Sequence, residues 1–286
     1  MLIRDILNVA ARHFETAGIP SARLDAEVLL AFCLGCERLD FFKNPAMPIN
    51  EKTLTLFQKL VARRLKWEPV AYITSRKEFW SFVLEVNNSV LIPRPDTEVL
   101  VEEALDVCNQ IDSAEIKILD IGTGSGAIAL SLAKEARHAV IVATDISAAA
   151  LAVAGKNARN LALDSQIKFL QGNLFEPVRD FFDIIVSNPP YIAADDYNKL
   201  PAGVRDYEPP EALLAGANGL DFYQKIINEA CGHLKSDGWL LLEIGATQKA
   251  RVADIIEASR QYSDISIRND YAGLPRVIKA RRKSSG

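Results

Sequence analysis

Residues 118–130 read ILDIGTGSGAIAL. Ile118 and Leu119 have the apolar character of a buried strand, and Asp120 and Ile121 follow. Glycine then takes every second position at Gly122, Gly124 and Gly126 before a helical apolar pattern begins. Alternate glycines let a backbone turn sharply and approach a ligand with no side chain between. A strand, a glycine loop and a helix in that order open a doubly wound α/β unit.

The flanking sequence repeats that alternation. Strands are expected at 116–120 (IKILD), 139–144 (AVIVAT), 167–171 (IKFLQ), 182–187 (FDIIVS) and 238–243 (GWLLLE), with helical patterns between them. Such alternation predicts a mostly parallel sheet with helices on both faces. In this topology the fourth strand lies beside the first. YSDISIRND (262–270) and RVIKARR (276–282), joined by a Gly-Pro loop, add an antiparallel edge. RRKSSG (281–286) is expected to fray.

The amino-terminal part reads differently. Leu2, Ile3, Ile6, Leu7, Ala10 and Phe14 recur at helical spacing. Further helices are expected near 22–35 and 51–66, the latter capped by Asn50. Arg63, Arg64 and Lys66 on that helix read as a solvated face. EFWSFVLEV (78–86) and SVLIP (89–93) read as hairpin strands turning at Asn87 and Asn88. Pro95 suits the first position of the next helix, where Asp96 and Glu98 complement the helix dipole. The expected organisation is a helical recognition domain at 1–75, a hairpin linker at 76–93 and an α/β domain at 94–286.

Composition narrows the function. The chain has 286 residues, 49% hydrophobic and 24% charged, which allows a sizeable core. A net charge of -4 argues against bulk nucleic acid as the main partner. No apolar run reaches membrane length, and the first residues lack a signal-peptide cleavage region, so a cytoplasmic protein is expected. Four cysteines make no disulfide framework, and Cys33 and Cys36 lie in an apolar helical pattern that favours core packing. His13, His138 and His233 are scattered, and no metal is expected.

Asp145 ends the second strand, where a carboxylate can accept hydrogen bonds from both hydroxyls of a ribose. With the glycine loop it points to a nucleoside-bearing cofactor. GTGSGA also satisfies a dinucleotide pattern, so a nicotinamide cofactor stays open at this level. The fourth strand ends in Asn188, Pro189, Pro190 and Tyr191. The side-chain oxygen of Asn188 and the carbonyl of Pro189 are two acceptors that can hold a planar NH2 group. The prolines stiffen the segment, and the Tyr191 ring can pack on a flat group.

In combination, EFWS, LIPRPDTEVLVEEAL, DIGTGSGAIALSLA, VATDIS, VSNPPYI, YEPPEALLAGANGLDFYQKII and GWLLLEIG resemble the peptide chain release factor glutamine methyltransferases. The resemblance runs from about residue 20 to 280 in order. It implies a Rossmann-like class I methyltransferase fold. It also implies methyl transfer from S-adenosyl-L-methionine to the N5 amide nitrogen of the glutamine in the Gly-Gly-Gln motif of bacterial class-one release factors, leaving S-adenosyl-L-homocysteine. Gly122, Thr123, Gly124, Ser125 and Gly126 would contact the cofactor, Asp145 its ribose, and Asn173 and Leu174 its adenine. Asn188 would face the cofactor and, with Pro189, Pro190 and Tyr191, hold the glutamine. Arg94 and Glu98 would border the substrate entrance. A monomer with no direct nucleic-acid substrate is expected. NPPY is shared with adenine methyltransferases of DNA and RNA, and a sister family modifies a ribosomal-protein glutamine; IPRPDTE favours the release-factor family. A nicotinamide oxidoreductase would need a hydride partner group near the fourth strand, and a cofactor-free adaptor would leave the glycine loop without a ligand.

Overall fold

A computed structural model describes residues 2–284. They form two compact units: one up to Arg76 together with Pro201–Tyr207, the other of Lys77–Leu200 and Glu208 onward.

The first unit is helical: α1 (Ile3–Thr16), α2 (Ala22–Leu34), α3 (Asp40–Lys43), α4 (Glu51–Arg64) and α5 (Val70–Thr74). Ile3, Ile6, Leu7, Ala10 and Phe14 of α1 pack against Leu29 and Leu30 of α2 and Phe57 and Leu60 of α4 in one apolar cluster. Asn50 caps α4 as expected, its Oδ1 accepting from the Thr53 N–H at 2.8 Å. The basic face of α4 differs from expectation at Arg64, which is 9% exposed and donates to Asp25 of α2 at 2.8 Å. Asp25 is itself buried, so the pair satisfies two charges that would otherwise be costly inside. Cys33 and Cys36 pack against this cluster, and burial pushes the Cys33 thiol up to about 11. The segment Pro201–Tyr207 belongs here because the Tyr207 hydroxyl donates to the Lys66 carbonyl at 2.8 Å. Gly203 lies so close to the Trp67 carbonyl that an added Cβ would sit 2.9 Å from it.

The second unit opens at Lys77, within β1 (Arg76–Phe79), which pairs with β2 (Phe82–Glu85). The expected hairpin is corrected: both arms come from EFWSFVLEV and its approach, and no strand forms at 89–93. Trp80, at φ 56°, makes the turn, and the Glu98 carboxylate accepts its N–H at 2.7 Å. Asn87 instead makes a local turn, accepting from the Ser89 N–H at 2.9 Å. After a 3-10 turn at Pro95–Thr97 come α6 (Glu98–Cys108), β3 (Ile116–Ile121), α7 (Ala127–Glu135), β4 (Ala139–Asp145), α8 (Ala148–Asn160), β5 (Ile167–Gln171) and β6 (Phe182–Ser187). They are followed by α9 (Ala194–Tyr197), α10 (Ala202–Arg205) within the helical unit, α11 (Asp221–Ala230), β7 (Leu234–Glu243), α12 (Lys249–Ser259), β8 (Tyr262–Asn269) and β9 (Pro275–Arg282).

The seven-stranded sheet has the order β5-β4-β3-β6-β7-β9-β8. Strands β5 to β7 are parallel, and β9 pairs antiparallel with both β7 and β8. The antiparallel edge is therefore as expected, with β9 inserted between β7 and β8. The expected frayed tail is corrected as far as Ser284: Arg281 and Arg282 close β9, the Lys283 N–H donates to the Gln261 carbonyl at 2.9 Å and the Ser284 hydroxyl donates to Asp237 at 3.1 Å, while residues 285–286 lie outside the described ones. Fully buried Ile118, Ile141 and Ile184 pack one face of the sheet, and Leu119, Ile185 and Leu240 pack the other. The chain order reverses between β3 and β6, and their carboxyl ends define the crevice where ligands of such sheets bind.

Candidate active site

The glycine loop leaves β3 with all three glycines left-handed: φ is 73° at Gly122, 57° at Gly124 and 84° at Gly126. A side chain in that region is strained. Gly126 packs tightly, because an added Cβ would stand 3.0 Å from Leu130 and 3.3 Å from Ala154. Gly122 and Gly124 face open space instead, with nothing within 4 Å of an added Cβ. The loop therefore bares its backbone toward the crevice, as a bound cofactor requires. Asp120 underlies it, accepting from the Thr123 hydroxyl at 2.6 Å. Burial pushes the Asp120 carboxyl up to about 7, with the Thr123 bond pulling the other way.

Asp145 at the end of β4 accepts from the Gly124 N–H on one oxygen and the Ser147 N–H on the other, each at 2.9 Å. Its carboxylate thus ties the loop to the start of α8 while lining the cleft. Burial raises its carboxyl, against those two backbone bonds. Gly172 donates to the Asp145 carbonyl at 3.0 Å, bringing the turn after β5 alongside. This turn needs glycine, since an added Cβ would lie 2.6 Å from Pro177. Asn173 and Leu174 then reach the cleft, Leu174 in a left-handed conformation at φ 48°.

Across the cleft, β6 pairs with β3 so that Ser187 stands opposite Ile121, and the Ser187 hydroxyl donates to the Ile121 carbonyl at 2.8 Å. Asn188 therefore emerges next to the loop. Its Nδ2 donates to the Thr97 hydroxyl at 3.2 Å, which leaves the amide oxygen for the cleft. Pro189 and Pro190 also line it. The Tyr191 ring packs with the buried residues below the sheet, and its carbonyl accepts from Gln248 Nε2 at 3.0 Å. That amide also donates to the Gly219 carbonyl, fixing the chain just after the proline pair.

Gly122, Thr123, Gly124, Ser125, Asp145, Asn173, Leu174, Asn188, Pro189 and Pro190 thus share one cleft, while Gly126 and Tyr191 support it from behind. The IPRPDTE pair divides. Arg94 lines the cleft and donates to Glu208 at 2.5 Å, whereas Glu98 is engaged by the Trp80 N–H outside it. Sequence reasoning missed Ile146, Phe222, Pro209 and Glu211, which complete the walls. Ile146, next to Asp145 and 61% exposed, is the one with a sequence signal: a large apolar residue at the start of a polar turn. Among the described residues, no group of His, Cys, Asp or Glu is arranged to hold a metal ion.

Sheet order, glycine loop and proline-rich strand end define an α/β methyltransferase. The model "Methyltransferase small domain" matches residues 97–201, and "PrmC N-terminal domain" matches 5–74. A methyltransferase from Pyrococcus furiosus has the same fold, with a TM-score of 0.53 and 18% identity, covering 78% of this chain and 99% of that one. The sequence is 40% identical over 280 residues to the release factor glutamine methyltransferase of Geobacter sulfurreducens, spanning 98% of this chain and 96% of that protein. It is 44% identical over 262 residues to that of Coxiella burnetii, spanning 91% and 92%. The chain belongs to the release factor glutamine methyltransferase family.

Proposed function

We propose that this enzyme uses S-adenosylmethionine to methylate the side-chain amide nitrogen of the Gly-Gly-Gln glutamine in a bacterial peptide chain release factor. The observation that carries the reading is Asn188, whose amide oxygen is left for the cleft beside a bare glycine loop. When bound, S-adenosylmethionine supplies an electrophilic methyl group on a sulfonium that leaves as a neutral thioether. Every other task falls to the chain. Asp145 accepts from the ribose hydroxyls, and the backbone at Gly122 and Gly124 lies against the amino-acid portion. Leu174 and Ile146 sandwich the adenine, with Asn173 at its edge.

Asn188 Oδ1 and the Pro189 carbonyl accept the two N–H bonds of the glutamine amide. Two acceptors hold the NH2 plane and aim the nitrogen at the methyl carbon, and they favour the positive charge that grows there. Pro189 and Pro190 keep both acceptors in place before substrate arrives. No side-chain nucleophile is needed. The helical unit supplies recognition of the release factor, a reading supported by its match to a family-specific amino-terminal model and by Leu39 and Phe42, 63% and 70% exposed.

The experiment combines the protein with methyl-labelled S-adenosylmethionine, an unmodified release factor and an adenine-containing duplex as competitor. Peptide mass spectrometry is expected to place the label on the Gly-Gly-Gln glutamine. Label on the duplex alone would refute the reading. Asn188→Ala is expected to lower kcat by about 100- to 1,000-fold, as loss of one preorganised hydrogen-bonding group does elsewhere, with cofactor affinity nearly unchanged. Turnover surviving within a few-fold would show that Asn188 does not hold the amide.

A further inference from the structure

Asn157 of α8 is 2% exposed, yet its amide is fully engaged. Its Oδ1 accepts from the Glu85 N–H at 2.8 Å. Its Nδ2 donates to the Glu85 carbonyl at 3.0 Å and to the Ser125 carbonyl at 2.9 Å. All three partners are backbone groups, in which an N–H can only donate and a carbonyl can only accept. The amide therefore fits only one way round, with both hydrogens and the oxygen committed. Two of the bonds hold β2 by the residue that ends it, and the third holds the middle of the glycine loop.

That third bond falls where the loop is least able to hold itself. Ser125 stands between Gly124 and Gly126, both left-handed. Having no Cβ, these glycines leave the peptide units between them free to rotate. The Gly124 N–H is fixed by Asp145, and the Gly126 N–H donates to the Thr123 carbonyl at 2.8 Å. Asn157 fixes the remaining group, drawing the Ser125 carbonyl toward α8 while Gly124 and Ser125 line the cleft. The loop is thus pinned by two side chains, one at the end of β4 and one on the following helix.

We propose that Asn157 is a positioning residue for the cofactor: it fixes the Ser125 peptide so that the glycine loop holds its binding form before S-adenosylmethionine arrives, and it ties that form to the β1–β2 hairpin. The inference rests on the cofactor reading above and extends it to a residue outside the cleft. A loop ordered in advance spares the ligand the cost of ordering it. Coupling between two sites runs in both directions, so cofactor bound at the loop also steadies the hairpin.

The test compares the full-length wild type with Asn157→Ala and Lys156→Ala. Lys156 forms an ion pair with the Glu85 carboxylate at 2.7 Å, so its truncation loosens the same strand and leaves the Ser125 bond in place. Calorimetry gives the affinity for S-adenosylmethionine, and amide hydrogen exchange follows residues 82–86 with and without it. Asn157→Ala is expected to weaken cofactor binding by about 5- to 30-fold, the cost of ordering one backbone residue at each binding event. Lys156→Ala is expected to speed exchange at 82–86 while affinity stays within about 2-fold. In the wild type, saturating cofactor is expected to slow exchange at Glu85 by at least about 3-fold, and in Asn157→Ala to leave it unchanged. Affinity of folded Asn157→Ala within about 2-fold of wild type would overturn the inference. So would an equal loss in Lys156→Ala, which marks general loosening of the hairpin rather than the Ser125 bond. Asn157→Asp, nearly the same shape without the two hydrogens, decides by the same affinity measurement if Asn157→Ala does not fold. The wild-type exchange comparison needs no substitution, and unchanged exchange at Glu85 would overturn the coupling. A wild type that binds no S-adenosylmethionine would instead overturn the reading of the cofactor site, and this inference with it.

Discussion

Arg94 offers a perturbation whose structural and functional parts can be separated. Its guanidinium donates to Glu208 at 2.5 Å, and the Glu208 side chain is 1% exposed while that of Arg94 is 35% exposed. Among the described residues Glu208 has one other hydrogen-bond partner, the Ile92 N–H at 3.1 Å. Arg94→Ala would leave a buried carboxylate with a single backbone donor. Breaking a fully buried pair costs about 3–5 kcal/mol, whereas surface pairs contribute about 0–1 kcal/mol. Water can enter beside the partly exposed Arg94, so we expect about 2 kcal/mol. For a unit of this size that lowers Tm by about 4–8 °C in scanning calorimetry. Adding Glu208→Gln removes the stranded charge, so Arg94→Ala/Glu208→Gln should melt well above the single variant. If Arg94 also borders the entrance for the glutamine segment, KM for the release factor rises in both variants, and restoring stability does not restore it. A single variant melting within about 1 °C of wild type, or a double variant no more stable than the single, would refute the claim that Arg94 neutralises a buried charge.

Two further outcomes are expected. Leu39→Asp/Phe42→Asp, at an exposed position just before α3 and one within it, should raise KM for the intact release factor at least about 5-fold in the methyl-transfer assay while calorimetric affinity for S-adenosylmethionine stays unchanged. Asp120 is protonated more readily in the folded chain than in the unfolded one, so the folded state binds the extra proton between about pH 4 and the value near 7. Stability from this group is full below that window and is lost as pH rises through it, by at most about 1.4 kcal/mol per pH unit. Denaturant unfolding of Asp120→Asn against wild type should therefore show a variant advantage that grows from pH 4 to 7 and then levels; an advantage independent of pH would contradict the assignment.

Much of the architecture was legible because its signals are local. The alternation of β-branched runs with helical patterns specified the parallel strands, and the adjacency of β3 and β6 followed from doubly wound topology. The glycine loop announced itself because alternate glycines leave few other readings. The hairpin misled because apolar alternation runs unbroken through EFWSFVLEV, and pattern alone does not locate its turn. What fixes that turn is a pair of long-range bonds, Glu98 to the Trp80 N–H and Trp80 Nε1 to Glu135 at 2.9 Å. Arg64 misled for a related reason: a basic residue at a helix end looks solvated until its partner Asp25 is found 39 residues earlier. The short helices α3 and α5 offer too few turns for periodicity to register.

The candidate site divides along the same line. Residues that would touch a ligand sit in compact motifs at strand ends, where crevice geometry restricts what they can do. Residues that orient those motifs lie far away in sequence. Thr97 is 91 positions from Asn188, and Gln248 is 57 from Tyr191. This separation follows from the chemistry of an amide. Asn188 carries a donor and an acceptor on one planar group of nearly symmetric shape, so its packing barely distinguishes two orientations that have opposite meaning for a substrate NH2 group. Something outside the motif must break that symmetry. In this fold the preceding turn supplies that partner, the Thr97 hydroxyl, which accepts from Asn188 Nδ2 at 3.2 Å. Asn, Pro, Pro and Tyr in sequence therefore specify where an amide is held, while the bonds beneath specify which way the holder faces.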